Sequence, residues 1–391
     1  MNGRKPLQPQ PRSLQEATGR LDALRHLTHA DQLRASLRLA RQPRLRPSAL
    51  AGLQAALAMA IALPLFHLSP WSHLTGYAPL GALAALFGRF AAPQRRNLIV
   101  FLAALCQTSA VVVMSLVSLL AVPTEFQLGL LAFSCGLFYF ITVSGDFGPP
   151  GALIFVFAVG AAMAPVDSLH QVIERGVATG TVALLAVLIC AATEGLRRAA
   201  TLTRPHSHEA ARPVAQRMLA SGRIVVAAGI AAHLSHALGA RFPTWAAMGS
   251  LAVTQGTHLH ITMHRALQRT AGTAVGALAA WVSLTQEPSV WSLSALLILL
   301  QFTTEGVVCA NYGVAQMLVT PMALLMTSLA VPAAAGAEMA AERVLDTLLG
   351  VSVGFAIAVL LSSLDERRAL ARLHPRSGEA RDCSSSGVGR C

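Results

Sequence analysis

Lysine is almost absent from this chain. Lys5 is the only one, and every other member of its 30 basic residues is arginine. No GxxxxGK[ST] run is therefore available, so the chain has no phosphate-cradling loop with which to draw on ATP. Charge of either sign is scarce: 12% of the 391 residues are Asp, Glu, Lys or Arg, about half the share of a soluble domain. No HExxH, GxSxG or dinucleotide fingerprint occurs, which leaves no signature of an enzyme and none of a cofactor. Six cysteines are present without metal-type or framework spacing. Cys106, Cys135, Cys190 and Cys309 sit inside apolar runs, where a thiol behaves as a small hydrophobe.

What remains is apolar. Hydrophobic residues make up 54% of the chain and mean hydropathy is +0.56. This is the composition of a polytopic membrane protein whose first partner is the lipid bilayer. The net charge of +12 raises nucleic-acid binding, but the arginines lie between apolar runs, where the positive-inside rule accounts for them.

Twelve apolar segments follow one another, at roughly 50–68, 76–90, 97–121, 127–143, 150–165, 172–197, 220–240, 243–257, 266–285, 290–310, 312–332 and 342–363. The expected fold is all-α: about twelve transmembrane helices in two parallel repeats of six. The divisions are a basic segment 1–48, a first repeat 49–198, a linker 199–219, a second repeat 220–363 and a polar tail 364–391. With the N-terminus inside, 27 of the 30 basic residues fall on the cytoplasmic side. Only Arg175, Arg241 and Arg343 fall outside, so both termini are expected in the cytoplasm of a bacterial inner-membrane protein. The same count favours a full crossing by 76–90. Trp71, Trp245, Trp281 and Trp291 fall at outer ends, as an interfacial belt does. The first apolar run follows a long basic stretch and reads as a retained anchor. Ser13–Glu16 is a capping box, with Leu14, Ala17, Leu21 and Leu24 at helical spacing after it. That segment is a short basic amphipathic helix on the membrane face or a solvated positive tail. The tail carries no prenylation box and reads as disordered.

A shift of 168 residues aligns Gly81 with Gly249, Gly88 with Gly256, Gly145 with Gly313, Glu174-Arg175 with Glu342-Arg343, and Thr179 with Thr347. Short segments at matched positions of two repeats point to a transporter's binding site. Here they are 76–90 and 243–257, and the interface they form with the helices that follow is the candidate site.

Arg265 and Arg269 are four apart and share a helix face. Their guanidinium forks suit a carboxylate substrate, and positive-inside anchoring is the plain alternative. Glu305 lies inside an apolar run with no charge near it in sequence. An acid there is costly and is a candidate for proton coupling. Asp346 and Arg343 join that proposal; Glu342, Glu174 and Arg175 fit helix-end roles. Tyr312 offers a stacking face, and Asn311 stands beside it in a turn. Thr254, Gln255 and Thr257 are polar groups at the elbow ending 243–257. His258, His260 and His264 lie close together, as do His206 and His208. The first group has no carboxylate or thiolate neighbour that would favour a metal, and no metal is expected. His233 and His236 share a face as pH-sensitive groups or as a packed pair. The pairs Gly176/Gly180, Gly272/Gly276 and Gly350/Gly354 let helices approach closely, within the bundle or in a homo-oligomer.

The string Trp245-Ala246, Gln255-Gly256, Arg265-Ala-Leu-Gln-Arg269, Gly272-Thr273 and Gly276 resembles the core motif of the fusaric acid resistance protein family. Asn311-Tyr312 with Leu318–Met326, and Glu342–Gly350 with its Arg-Val-Leu-Asp-Thr run, fit the same pattern. The resemblance covers about 242–354 and is weaker over 50–200. It implies an inner-membrane secondary exporter of small aromatic carboxylic acids or similar organic anions, driven by protons, with a periplasmic accessory protein as a further candidate partner. Family members often hold a large soluble domain between their membrane halves; only about twenty residues lie there here. An organic-anion channel and a non-transporting membrane scaffold are the alternatives.

Overall fold

The computed structural model describes residues 45–198, 213–256, 259–308, 311–331 and 338–362, with Gly336. The expected N-terminal amphipathic helix, most of the linker, the tail, His206, His208, Thr257 and His258 fall outside the described residues.

Among those residues the fold is all-α, with no strand. The first half supplies four long helices: α1 (Leu45–His67), α3 (Pro93–Leu119), α4 (Thr124–Ser144) and α6 (Leu169–Ala192). The second supplies five: α8 (Val214–Ala237), α10 (Leu259–Leu284), α11 (Val290–Val307), α12 (Tyr312–Ala330) and α13 (Glu338–Leu360). Short elements lie between them. These are α2 (Ala78–Ala82), continued by a 3₁₀ turn over Leu83–Leu86, α5 (Leu153–Ala161), α7 (Glu194–Arg198) and α9 (Thr244–Thr254). Eight of the long helices have the length and hydropathy to cross a membrane. α10, which carries His264, Arg265 and Arg269, falls outside that set.

The twelve apolar segments thus do not give twelve full-length helices. Those at 76–90, 150–165 and 243–257 yield helices of 5, 9 and 11 residues. At 1.5 Å per residue even the longest reaches about 16 Å, half of a hydrocarbon core of about 30 Å. Local chemistry explains the breaks. The 3₁₀ turn after α2 gives way to Gly88 at φ +65°, a left-handed conformation that glycine adopts without penalty. α5 lies between Pro149-Pro150-Gly151 and Pro165, and proline donates no helical hydrogen bond and disfavours the helical conformation in the residue before it. α9 stops at Gln255-Gly256.

The short helices form the centre. Every residue of α2 is buried, and so is Thr244–Val253 of α9. A helix that is apolar all round belongs inside. The long helices surround them and turn large apolar side chains outward, among them Phe126, Phe133, Leu184, Leu188, Leu278 and Leu299. That surface suits lipid. Trp71, Trp281 and Trp291 are about half exposed, as a belt requires, but Trp245 is buried at 3% and stacks on Phe242. It belongs to the interior.

Glycines set the closest packing. A Cβ on Gly350 of α13 would collide with the Ala246 carbonyl of α9. One on Gly272 of α10 would lie 2.6 Å from the Gly313 carbonyl of α12, and one on Gly176 of α6 the same distance from Val112 of α3. All three spaced glycine pairs pack helices within the chain. Contacts also recur at the 168-residue offset. Gly81 of α2 faces Thr179 and Ala183 of α6, and Gly249 of α9 faces Thr347 and Val351 of α13. The guanidinium of Arg175 stands 5.1 Å over Tyr77, and that of Arg343 stands 5.2 Å over Trp245. α4 packs on α8, and α11 packs on α1.

Gly350→Leu drives a side chain into helix backbone, and overpacking of this kind costs about 1–3 kcal/mol or more. The detergent-solubilised variant should unfold at a clearly lower temperature than wild type. Gly222→Leu, where a Cβ meets nothing within 4 Å, should melt as wild type does. Equal melting of the two variants would mean that α9 and α13 do not touch in this way.

Candidate functional site

The interrupted elements meet around a cavity of about 900 Å³. Its wall follows α12 from Tyr312 to Met326, about 21 Å of helix at 1.5 Å per residue. Leu83, Leu86 and Arg89 reach it from the end of α2 and beyond, Gly148–Gly151 from the approach to α5, and Met248, Ala252 and Gln255 from α9. Non-helical backbone at such depth is tolerated where it lines a cavity. The Gly88 amide donates to the Phe147 carbonyl at 3.1 Å, which ties the α2 exit to the α4–α5 connection. Phe157, Met248, Met322 and Met326 make part of the wall apolar.

Six arginines share that wall: Arg89, Arg95, Arg217, Arg265, Arg269 and Arg343. Among the described residues Glu305 and Asp146 are the only carboxylates on it. Arg95 is exposed and Arg217 and Arg265 are half-buried; Arg217 donates to the Ser144 hydroxyl at 2.8 Å. The other three are buried, and each is held differently.

Arg89 donates through Nε to the Leu86 carbonyl at 3.2 Å and through Nη1 to a carboxylate oxygen of Glu305. Both partners are almost wholly enclosed. Glu305 of α11 therefore has a counter-ion, supplied from 216 residues away. Its Cβ is also where α11 comes closest to α1, since a Cβ on Gly52 would lie 2.6 Å from it.

Arg269 donates through Nη1 to the Tyr312 hydroxyl at 3.3 Å. Its Nε and Nη2 are buried and find no hydrogen-bond partner. Arg343 lies against Trp245, and its Nε and Nη1 are likewise unanswered. The two residues are 2% and 1% exposed. Unpaired buried donors cost free energy, and those on a charged group cost the most. Asp346 is one turn beyond Arg343 on α13. Its Oδ1 accepts from the Ser235 hydroxyl at 2.7 Å and its Oδ2 has no partner. It does not reach the cavity wall.

Of the residues singled out in the sequence, the cavity brings together Arg265, Arg269, Gln255, Tyr312, Glu305 and Arg343. Thr254 donates back to the Ser250 carbonyl at 2.8 Å and is not on the wall. Asn311 caps α12, its side chain accepting from the Gly313 and Val314 amides at 2.7 and 3.2 Å. It is not on the wall either. Asn is a favoured N-cap residue, and that is a structural duty. Glu342 accepts from the Arg241 and Phe242 amides ahead of α9. His233 and His236 face Glu125 of α4 at 3.6 and 3.7 Å. Sequence reasoning missed Arg89, Arg95 and Arg217. The available signal for Arg89 was its place directly after Gly88, where a short apolar segment stops. A second buried pair was missed as well. Arg96 of α3 reaches Glu194 of α7 at 2.6 Å and Gln54 of α1 at 2.8 Å, joining three helices away from the cavity wall.

A broken-helix cavity inside an all-α membrane bundle now has a family context. Residues 226–357 match the family described as fusaric acid resistance protein-like. That stretch holds α9–α12, half of α8, most of α13, and the six cavity residues named from the sequence, Gln255, Arg265, Arg269, Glu305, Tyr312 and Arg343. The chain is also 33% identical over 150 residues to the uncharacterized membrane protein YvaC of Bacillus subtilis (strain 168). The alignment covers 38% of this chain and 23% of YvaC, so the chain spans about a quarter of that relative's length. No solved structure matches it. The helices and these relatives together make this a multi-pass membrane protein.

Removing one member of a buried ion pair costs about 3–5 kcal/mol, whereas replacing both by apolar residues is close to neutral. Glu305→Leu alone should strongly lower the unfolding temperature, and Arg89→Met added to it should restore most of the loss. Independent, additive effects in that double-mutant cycle would show that the two side chains do not meet.

Proposed function

We propose that this protein is an inner-membrane secondary transporter that exports small carboxylic acids, aromatic ones foremost, in exchange for protons. The observation that carries the reading is the cavity itself: six arginines around a partly apolar chamber, two of them with buried N–H groups that no side chain answers. Such a chamber attracts an organic anion and accepts its apolar body. The family match over 226–357 supports the same substrate class.

The orientation follows from charge. Arg89, Arg95, Arg217 and Arg265 reach the wall from chain segments that the positive-inside rule assigns to the cytoplasmic face. Both termini then lie inside. The repeated contacts at the 168-residue offset support two parallel units related by an axis along the membrane normal, with the short helices at their interface. The anion enters at the cytoplasmic mouth past Arg265 and reaches the buried arginines. Glu305 supplies the coupling. While the anion is bound, the ionised Glu305 stays paired with Arg89. After the anion leaves at the outer side, Glu305 takes up a proton there and gives it up on the cytoplasmic side as the empty carrier returns, so proton and anion move in opposite directions.

Proteoliposomes preloaded with labelled 4-hydroxybenzoate test this. An imposed proton gradient should accelerate release from wild-type vesicles, and Glu305→Gln should abolish that dependence on the gradient while the protein remains inserted. Release that follows only the electrical gradient would make the protein a channel. The absence of any protein-dependent release across a panel of carboxylates would end the transport reading.

A further inference from the structure

We infer that Arg269 and Arg343 together seat a single carboxylate, and that Asp346 sets the charge this seat accepts to one. The inference rests on the reading of the cavity as the path of a small organic anion.

The donors come first. Nε and Nη2 of Arg269 are the adjacent pair along one edge of the guanidinium, the edge that forks a carboxylate with two parallel hydrogen bonds. Both are buried and unpartnered, and the third nitrogen is occupied by Tyr312. The guanidinium carbon of Arg343 stands over the Trp245 ring, and its Nε and Nη1 are unanswered. Arg269 is near enough to Arg343 for their charges to repel. Two enclosed cations with four idle donor nitrogens, both on one cavity wall, form a site that an anion completes.

The first half of the chain provides an internal control. Arg175 sits 168 residues before Arg343 and stands over Tyr77 as Arg343 stands over Trp245. Yet Arg175 donates through Nη1 and Nη2 to the Ala164 and Pro165 carbonyls, both at 2.9 Å. It is spent on backbone and is absent from the cavity wall. The same geometry is thus satisfied in one half and open in the other, so the molecule has one seat.

The charge balance gives the specificity. Arg89 is neutralised by Glu305. Arg269 and Arg343 carry two positive charges, and Asp346, one helical turn from Arg343, returns one negative charge to their surroundings. The remainder is a single positive charge. A monocarboxylate cancels it; a dianion would leave a net charge in an enclosed site, where the cost of an unpaired charge is high. Met248, Phe157, Met322 and Met326 receive the apolar body.

Calorimetric titration of the purified, detergent-solubilised protein reads this out with benzoate, benzamide, phthalate and monomethyl phthalate. Wild type should bind benzoate and monomethyl phthalate, and should bind benzamide and phthalate at least about tenfold more weakly. Arg269→Lys and Arg343→Lys keep the charge and lose the fork, and each should weaken benzoate binding about tenfold or more. Arg175→Lys should leave it unchanged. Asp346→Asn should shift preference toward phthalate by a similar factor. Wild type alone decides the charge rule if that variant fails to fold, because equal binding of phthalate and its monomethyl ester would overturn it. The seat falls if wild type binds no benzoate, if Arg343→Lys binds it normally, or if Arg175→Lys weakens it as much. Transport that persists with such indifferent binding would sink the seat alone. Arg343-dependent binding in a protein that moves no anion would leave the seat and sink the transport reading.

Discussion

A guanidinium withdrawn from water must have its N–H groups answered or pay several kcal/mol for each charge left alone. This bundle encloses Arg89, Arg96, Arg269 and Arg343; carboxylates answer the first two, although Nε of Arg96 finds no partner. Glu305 meets Arg89, and Glu194 with Gln54 meets Arg96. Those pairs join distant stretches of chain and give the bundle fixed points. Arg269 and Arg343 remain, each with part of its donor set idle. The short helices and the glycine contacts together hold those two residues on the wall of the cavity.

The short helices make that enclosure feasible. A helix satisfies its own backbone, so a bundle of full-length helices packs into a solid. Ending α2 at the 3₁₀ turn and Gly88, α5 at its proline boundaries and α9 at Gln255-Gly256 leaves room beyond each terminus. The cavity occupies that room. The glycines of α10 and α13 have the opposite effect: they draw the long helices against α12 and α9, so the chamber keeps rigid walls. Interruption creates the space, and close packing keeps it from collapsing.

The sequence disclosed these features unevenly, for reasons of range. Long apolar runs declare long helices because length and hydropathy are local properties, and nine such runs became nine long helices among the described residues. The brevity of 243–257 was legible in Pro243 and Gly256. That of 150–165 was legible too, since Pro149-Pro150-Gly151 and Pro165 bracket it. Arg269 and Glu305 stood out because charges in apolar surroundings are rare. Their partners did not, because an ion pair between residues 89 and 305 leaves no trace in the neighbourhood of either. The repeat offset gave no help with Glu305, since it points to Leu137. Trp245 looked like a belt residue from its place at an apolar run's outer end. Only the packing of α9 against α13 shows that its ring backs a guanidinium.

The asymmetry between Arg175 and Arg343 shows how one architecture can be structural in one half and receptive in the other. Both arginines follow a glutamate at the start of a long helix and both lie over an aromatic ring. The difference lies in what faces the guanidinium. Around Arg175 the chain after α5 turns at Ala164-Pro165, and the carbonyls there have no helical donors to occupy them. Nε and Nη1 of Arg343 meet no such acceptor. The carbonyls that the 168-residue offset would set against it belong to residues 332 and 333, outside the described residues. A similar pose over an aromatic ring thus leaves a cation satisfied in one place and short of acceptors in the other, and the acceptors rather than the ring make the difference.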